Sequence, residues 1–120
     1  MSVTVYTARP KRLLAEIRKA IDESHIDTWV CDEDGDFTHS TSSDQWKGRA
    51  WFHPMISQGA LTFGLLGREN VTMTKPLYGI YHGRFIAMLL THFDTEFDSV
   101  TATALGDWTA DDFKASNMPD

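Results

Sequence analysis

The chain has 120 residues, a formal net charge of −6, and 42% hydrophobic against 23% charged residues. That length suits one domain and leaves no space for a second of ordinary size, and the composition is that of a folded chain, not a disordered one. The longest apolar run, Phe85–Leu90, is far short of the about 20 residues a membrane-spanning helix needs, and the opening MSVTVYTARPKR has no apolar stretch of signal-peptide length. The single cysteine, Cys31, cannot form an internal disulfide. Together these features predict a cytoplasmic protein.

Charge is distributed unevenly. Arg9, Lys11, Arg12, Arg18 and Lys19 stand against Glu16 alone, so the remainder of the chain is more acidic than the total. Nucleic-acid binding draws its affinity from neutralised phosphates and needs a broad basic surface. One basic helix face on an acidic body argues against that class of partner.

In chain order, Ser2–Tyr6 is β-branched and aromatic and reads as a strand. Pro10 suits the first turn of a helix, in which Leu13, Leu14, Ile17, Ala20 and Ile21 share one face at about 100° per residue. Ile26–Cys31 and Asp36–Ser40 read as paired strands around Asp34-Gly35, a type I′ hairpin signal. A two-residue loop would set Cys31 opposite Thr38 and Val30 opposite His39. Cys31 and His39 would then lie on opposite sheet faces, which disfavours a nucleophilic dyad. After the polar loop Thr41–Gln45, Gly48–His53 reads as a strand stopped by Pro54. Ser57-Gln58-Gly59 turns the chain into Ala60–Leu66, and a further turn leads to Val71–Thr74. A second helix opens at Pro76 and runs to about Phe93, and Val100–Leu105 is the last strand. Thr109 and Asp112 have capping-box spacing, compatible with a short terminal helix around Phe113. The order β-α-β-β-β-β-β-α-β predicts an α+β fold: a mostly antiparallel sheet with two helices packed on one face. Residues 1–106 form the single domain, and 107–120 an acidic tail.

Several groups of residues are candidates for function. The acidic tip Asp32, Glu33, Asp34 and Asp36 has the alternating carboxylates of a calcium loop. Counted from Asp32, however, its glycine falls two places early and Ser43 stands where the closing Glu belongs. No set of histidines, carboxylates or Cys31 has a recognised ligand spacing, so no metal and no cofactor are expected. On the second helix Tyr78, Tyr81, Phe85, Met88 and Leu89 project into one sector, with His92 inside it and His82 at its margin. The opposite face carries Gly79, Ile80, Gly83, Ala87 and Leu90, relieved by Arg84. Interior glycines each cost about 1 kcal/mol of helix propensity, a cost that makes sense if another backbone approaches closely. That backbone is the first helix or the tail of the same chain, or else another protein or a second copy of the chain.

Two functions fit these features. The favoured one is a small acidic intracellular protein-binding module of inhibitor or immunity type. It would steer a basic protein partner with Asp32, Glu33, Asp34 and Asp36 and bury aromatic anchors. Self-association as a homodimer would use Gly79, Ile80, Gly83, Ala87 and Leu90. The alternative is a small-ligand-binding protein or small enzyme with a pocket between the second helix and the sheet, built from His82, His92, Tyr81, Tyr78 and Trp51. With no nucleophile identified, the balance is against an enzyme. A cavity beside His92 discriminates between the two.

Overall fold

The alternation of Ser2–Tyr6 buries Val3 and Val5 completely on one side and makes this segment strand β1. A computed structural model describes residues 2–40, 46–67 and 73–104. Helix α1 (Pro10–Asp22) places Pro10 in its first turn, where a missing N–H costs nothing, and buries Leu13, Leu14 and Ile17. It ends in a Schellman motif. The His25 N–H donates to the Ala20 carbonyl at 2.8 Å and the Ser24 N–H to the Ile21 carbonyl at 3.1 Å, with Ser24 left-handed at φ +62°.

The hairpin of β2 (Trp29–Cys31) and β3 (Phe37–His39) differs from the expected one by a single residue of register. Cys31 stands opposite Phe37, Val30 opposite Thr38, and Trp29 opposite His39. The cause is Asp32. Its carboxylate accepts from the backbone N–H of Asp34 at 3.0 Å and of Asp36 at 2.9 Å, while the Gly35 N–H donates to its carbonyl at 3.1 Å. This local lock holds a three-residue loop, Glu33-Asp34-Gly35, with only Gly35 left-handed at φ +84°. A type I′ turn would need Asp34 at positive φ as well, and it is not. A one-residue slip exchanges faces, so Cys31 and His39 share a sheet face after all. They are still not a pair, because His39 packs edge-on against Trp29 and Cys31 lies beside Arg18.

Strand β4 (Ala50–Ser57) starts later than expected and runs straight through Pro54, which pairs with Phe63 of β5 (Ala60–Gly67). Phe37↔Phe52 is the pairing of β3 with β4. Pro54 lies beyond the part of β4 that β3 covers, so the ladder on that side calls for no donor from it. Gly59, at φ +77°, completes the β4–β5 turn. The strand expected at Val71–Thr74 falls partly outside the described residues. Within them, Met73 is a buried irregular residue and Thr74 caps α2 (Lys75–His92), accepting from the Leu77 N–H at 3.2 Å. Strand β6 (Ser99–Ala102) begins one residue before the expected strand. The tail, with Trp108 and Phe113, lies outside the described residues.

The six strands form one antiparallel sheet in the order β2-β3-β4-β5-β1-β6. β1 is therefore an interior strand, flanked by β5 and β6. Both helices pack on the face that carries Val3, Val5, Leu61, Phe63, Leu65, Ala50, Phe52, Phe37 and Trp29, all within one buried cluster. Phe85 is its hub, with ring centroids 4.6 Å from Phe52, 4.7 Å from Phe63 and 5.0 Å from Trp29. The Phe63 and Trp29 contacts are edge-to-face and the Phe52 contact tilted, and well-placed aromatic pairs contribute about 0.5–1.5 kcal/mol each beyond buried area. The other sheet face carries Thr4, Thr62, Trp51 and Met55, half-buried, and the exposed side chains of Tyr6 and Val30. Neither helix packs on it.

Candidate functional site

Strands β2 and β3 are only three residues long, so the sheet ends early at that corner. Helix α2 is eighteen residues long and passes beside it. The mismatch leaves an open groove of about 420 Å³. Its sheet-side wall is Thr28, Trp29 and His39, and its helix-side wall is Arg84, Ala87, Met88, Thr91 and His92. Spacings of three and four along α2 place Arg84, Ala87, Met88 and Thr91 over one another.

The polar groups of the groove are held in place by their neighbours. His39 is buried, with its ring edge-on to Trp29 at 5.2 Å and 6.2 Å from Tyr81. The Arg84 Nη1 lies 3.3 Å from His39 Nε2. A guanidinium can only donate, so in this contact Nε2 accepts and the imidazole is neutral there. The Thr91 hydroxyl donates to the Ala87 carbonyl at 2.7 Å, which turns its oxygen toward the helix. His92 is exposed at the rim, although its helical position suggested the core. Among the described residues, the lining holds one guanidinium, two imidazoles and no carboxylate.

Of the five side chains proposed for a ligand pocket, only His92 lines this groove. Tyr78, Tyr81 and His82 are buried in the core, at 2%, 0% and 4% exposure. The His82 Nδ1 lies 2.6 Å from the Tyr78 carbonyl. The Tyr81 hydroxyl donates to the Trp46 carbonyl at 2.6 Å and accepts from the Arg49 N–H at 3.0 Å. It thus closes the segment between β3 and β4 from inside the core. Trp51 alternates with buried Ala50 and Phe52 and so belongs to the opposite sheet face. His39 and Arg84 were missed as groove residues. His39 lay on a strand whose register was misjudged, and Arg84 read as an isolated charge on an apolar helix face.

The residues proposed for a protein interface divide in two. On α2, Gly79, Gly83, Ala87 and Leu90 are exposed, Leu90 by 51%, and Ile80 is half-buried. Among the described residues nothing comes within 4 Å of a Cβ placed on Gly79 or Gly83. Helix α1 therefore does not cover the ladder of small residues. At the acidic tip, Asp32 is engaged with the backbone of its own loop, and Asp36 is buried with its Oδ1 2.6 Å from His53 Nδ1. Arg18 reaches over the turn, its Nη2 3.3 Å from the Gly35 carbonyl. Only Glu33 and Asp34 of the four carboxylates stand clear of such contacts in an exposed position.

The Asp36–His53 contact was not foreseen. Phe37 pairs with Phe52 on the helix-facing side, so Asp36 and His53, one step outward, meet on the other. Burial raises the Cys31 thiol above its ordinary pKa, opposed in part by the Arg18 guanidinium. A larger hollow of about 580 Å³ lies where the start of α1, with Arg9, Lys11 and Arg12, faces Ile56, Ser57 and Gln58 at the end of β4. Among the described residues no three histidine, cysteine or carboxylate side chains gather as a metal-ligand group, and no helix is long and apolar enough to cross a membrane. Compared with protein-family models, curated proteins and solved structures, the chain matches none of them.

Proposed function

We propose that this domain binds a small molecule in the groove between α2 and the β2–β3 corner of the sheet. The observation that carries this reading is the cavity beside His92, about 420 Å³ in volume. That lies within the roughly 300–1,000 Å³ usual for ligand sites. Trp29, Ala87 and Met88 offer apolar surface, and Arg84, His39 and His92 supply polar groups that fix orientation. No catalytic step is assigned. The Thr91 hydroxyl is turned to a helix carbonyl, and Cys31 is not part of the lining. The test is a fragment screen read by two-dimensional amide NMR. Shifts concentrated at Ala87, Met88, Thr91 and the Trp29 indole are the expected result. A diverse fragment set that leaves those resonances unmoved refutes the reading.

A second reading, a protein-binding module that self-associates through the outer face of α2, draws support from the open Gly79–Gly83–Ala87 surface and exposed Leu90. Engagement of Asp32 and Asp36 within the fold weakens the version in which an acidic tip draws in a basic protein. Gly83→Leu tests self-association. With no neighbour within 4 Å among the described residues, the added side chain stabilises α2 by about 0.8 kcal/mol through helix propensity. A dimer packed on that glycine would dissociate in light scattering. A wild type monomeric at high concentration refutes this reading.

A further inference from the structure

The hollow between the start of α1 and the end of β4 is larger than the α2 groove, about 580 Å³, and shares no lining residue with it. Ala8, Pro10 and Ile56, the last 44% exposed, give it apolar surface, and the exposed Arg9, Lys11 and Arg12 give it charge. Among the described residues none of these three cations forms an ion pair, and the lining holds no carboxylate. Glu16 stands one turn along from Arg12 without pairing with it, and Arg9 faces Glu96 and Asp98 across the small hollow beside β6, also without an ion pair. Met1 and residues 41–45, 68–72 and 105–120, which lie outside the described set, join the chain at the end of the sheet that holds Ser2, Ala50, Gly67 and Ala102. The hollow lies at the other end, with Tyr6, Ser57 and Ala60, about 23 Å away along β4. Packing does not account for the cations. All three are exposed, no side chain caps α1 at Arg9, and positive charge in a first turn without acidic residues opposes the helix dipole.

Magnitude decides what fits. An exposed ion pair strengthens binding by about fivefold at most, and salt screens it. A small monovalent anion therefore gains little here. A peptide gains one contact for each carboxylate, and an apolar side chain between them can enter the hollow beside Pro10 and Ile56. A flat bilayer surface would leave the concavity unfilled. The acidic remainder of the chain is screened beyond about 8 Å at physiological salt, so the local positive charge governs the last step of docking.

We infer that this hollow docks an acidic peptide segment of another protein, with carboxylates against Lys11, Arg12 and Arg9 and one bulky apolar side chain seated beside Ile56. The inference is independent of the small-molecule reading of the α2 groove and concerns a different surface.

The test titrates the full chain with a blocked five-residue peptide, a phenylalanine flanked on each side by two aspartates, and with two controls: alanine at the centre, and lysine in place of every aspartate. Amide NMR locates binding and gives the affinity. The acidic phenylalanine peptide should shift Ala8, Lys11, Arg12, Ile56 and Gln58, with an affinity that falls as salt rises. The alanine peptide should bind about tenfold more weakly, and the lysine peptide should leave these amides unmoved. Lys11→Gln combined with Arg12→Gln should weaken the phenylalanine peptide about tenfold. This variant should melt no lower than the parent, because it relieves charge at the helix start, so lost binding is not lost folding. Arg12→Gln alone carries the comparison if the pair melts early. Ile56→Ser should weaken the phenylalanine peptide and spare the alanine one, and Lys19→Gln, further along α1, should change nothing. Equal binding of the alanine and phenylalanine peptides reduces the effect to diffuse charge attraction and overturns the inference. An unchanged affinity in the folded glutamine variant, shifts located outside the hollow, or no shifts at all overturn it too. Cosedimentation with phosphatidylserine–phosphatidylcholine vesicles, with no response to the peptide, would make a bilayer the partner instead.

Discussion

Replacing Tyr81 by phenylalanine removes one oxygen from the best-connected side chain in the core. The ring is fully buried and packs edge-on against Trp29 at 5.6 Å, contacts that phenylalanine retains. What is lost is the hydroxyl, which donates to the Trp46 carbonyl at 2.6 Å, accepts from the Arg49 N–H at 3.0 Å and lies 3.3 Å from Thr38 Oγ1. A neutral hydrogen bond contributes about 0.5–1.5 kcal/mol net, and a buried group left without its partner costs more. Thr38 keeps its donation to the Ala50 carbonyl at 2.8 Å, so it loses little. Arg49 is exposed and Trp46 half-buried, so water can reach part of what is released. The sum is about 2 kcal/mol, or a Tm lower by about 6–10 °C for a chain of this size. Urea denaturation should show the shift in midpoint with an unchanged slope. Hydrogen exchange should show the Arg49 amide losing protection while Leu65 in β5 follows global stability. A variant within about 0.5 kcal/mol of the parent, with Arg49 still protected, refutes the claim that this hydroxyl holds the β3–β4 segment.

Other positions give sharper local tests. Ser24→Gly should stabilise the domain by about 0.5–1 kcal/mol in a thermal melt, because Ser24 occupies the left-handed position of the α1 Schellman motif at φ +62°. Gly35→Val should cost about 2 kcal/mol or more, since Gly35 is left-handed and a Cβ there would meet Arg18 Nη2 at 2.9 Å; a melt matching the parent would contradict the turn geometry. Cys31 should react slowly with iodoacetamide at neutral pH and reach the rate of a free thiol only in denaturant, because burial favours its protonated form. A native pKa above the unfolded one means the native state holds this proton longer. The corresponding stability is fully present below the unfolded pKa and is lost as pH rises through the native pKa. Cys31→Ala should therefore flatten the alkaline limb of stability against pH, read by urea denaturation from neutral to alkaline pH.

What can be read from the sequence here is local. The periodicity of Leu13, Leu14 and Ile17, the start of α2 at Pro76, and the buried stripe Tyr78, Tyr81, Phe85, Met88 and Leu89 all depend on residues a few positions apart. Gly35 and Gly59 marked their turns because only a residue without Cβ takes positive φ cheaply. The hairpin register was not legible from the Asp-Gly pair, since the Asp32 carboxylate competes with the type I′ turn and wins by two backbone bonds. Pro54 misled for a related reason: proline breaks a ladder only where a neighbour strand needs its N–H, and β3 does not extend that far.

The site itself was decided by tertiary structure. Local patterns along the chain specify the α+β elements and an α2 whose two faces differ, one aromatic and one of small residues. They could not determine that β1 lies between β5 and β6, or that the sheet's far corner is a pair of three-residue strands shorter than the helix beside them. The groove is the difference between those lengths. His39 and Arg84, forty-five positions apart, meet across it at 3.3 Å. Hydrophobic periodicity reports which side of an element faces the core. A cavity depends on where separate elements end relative to one another, and that is set only when they pack.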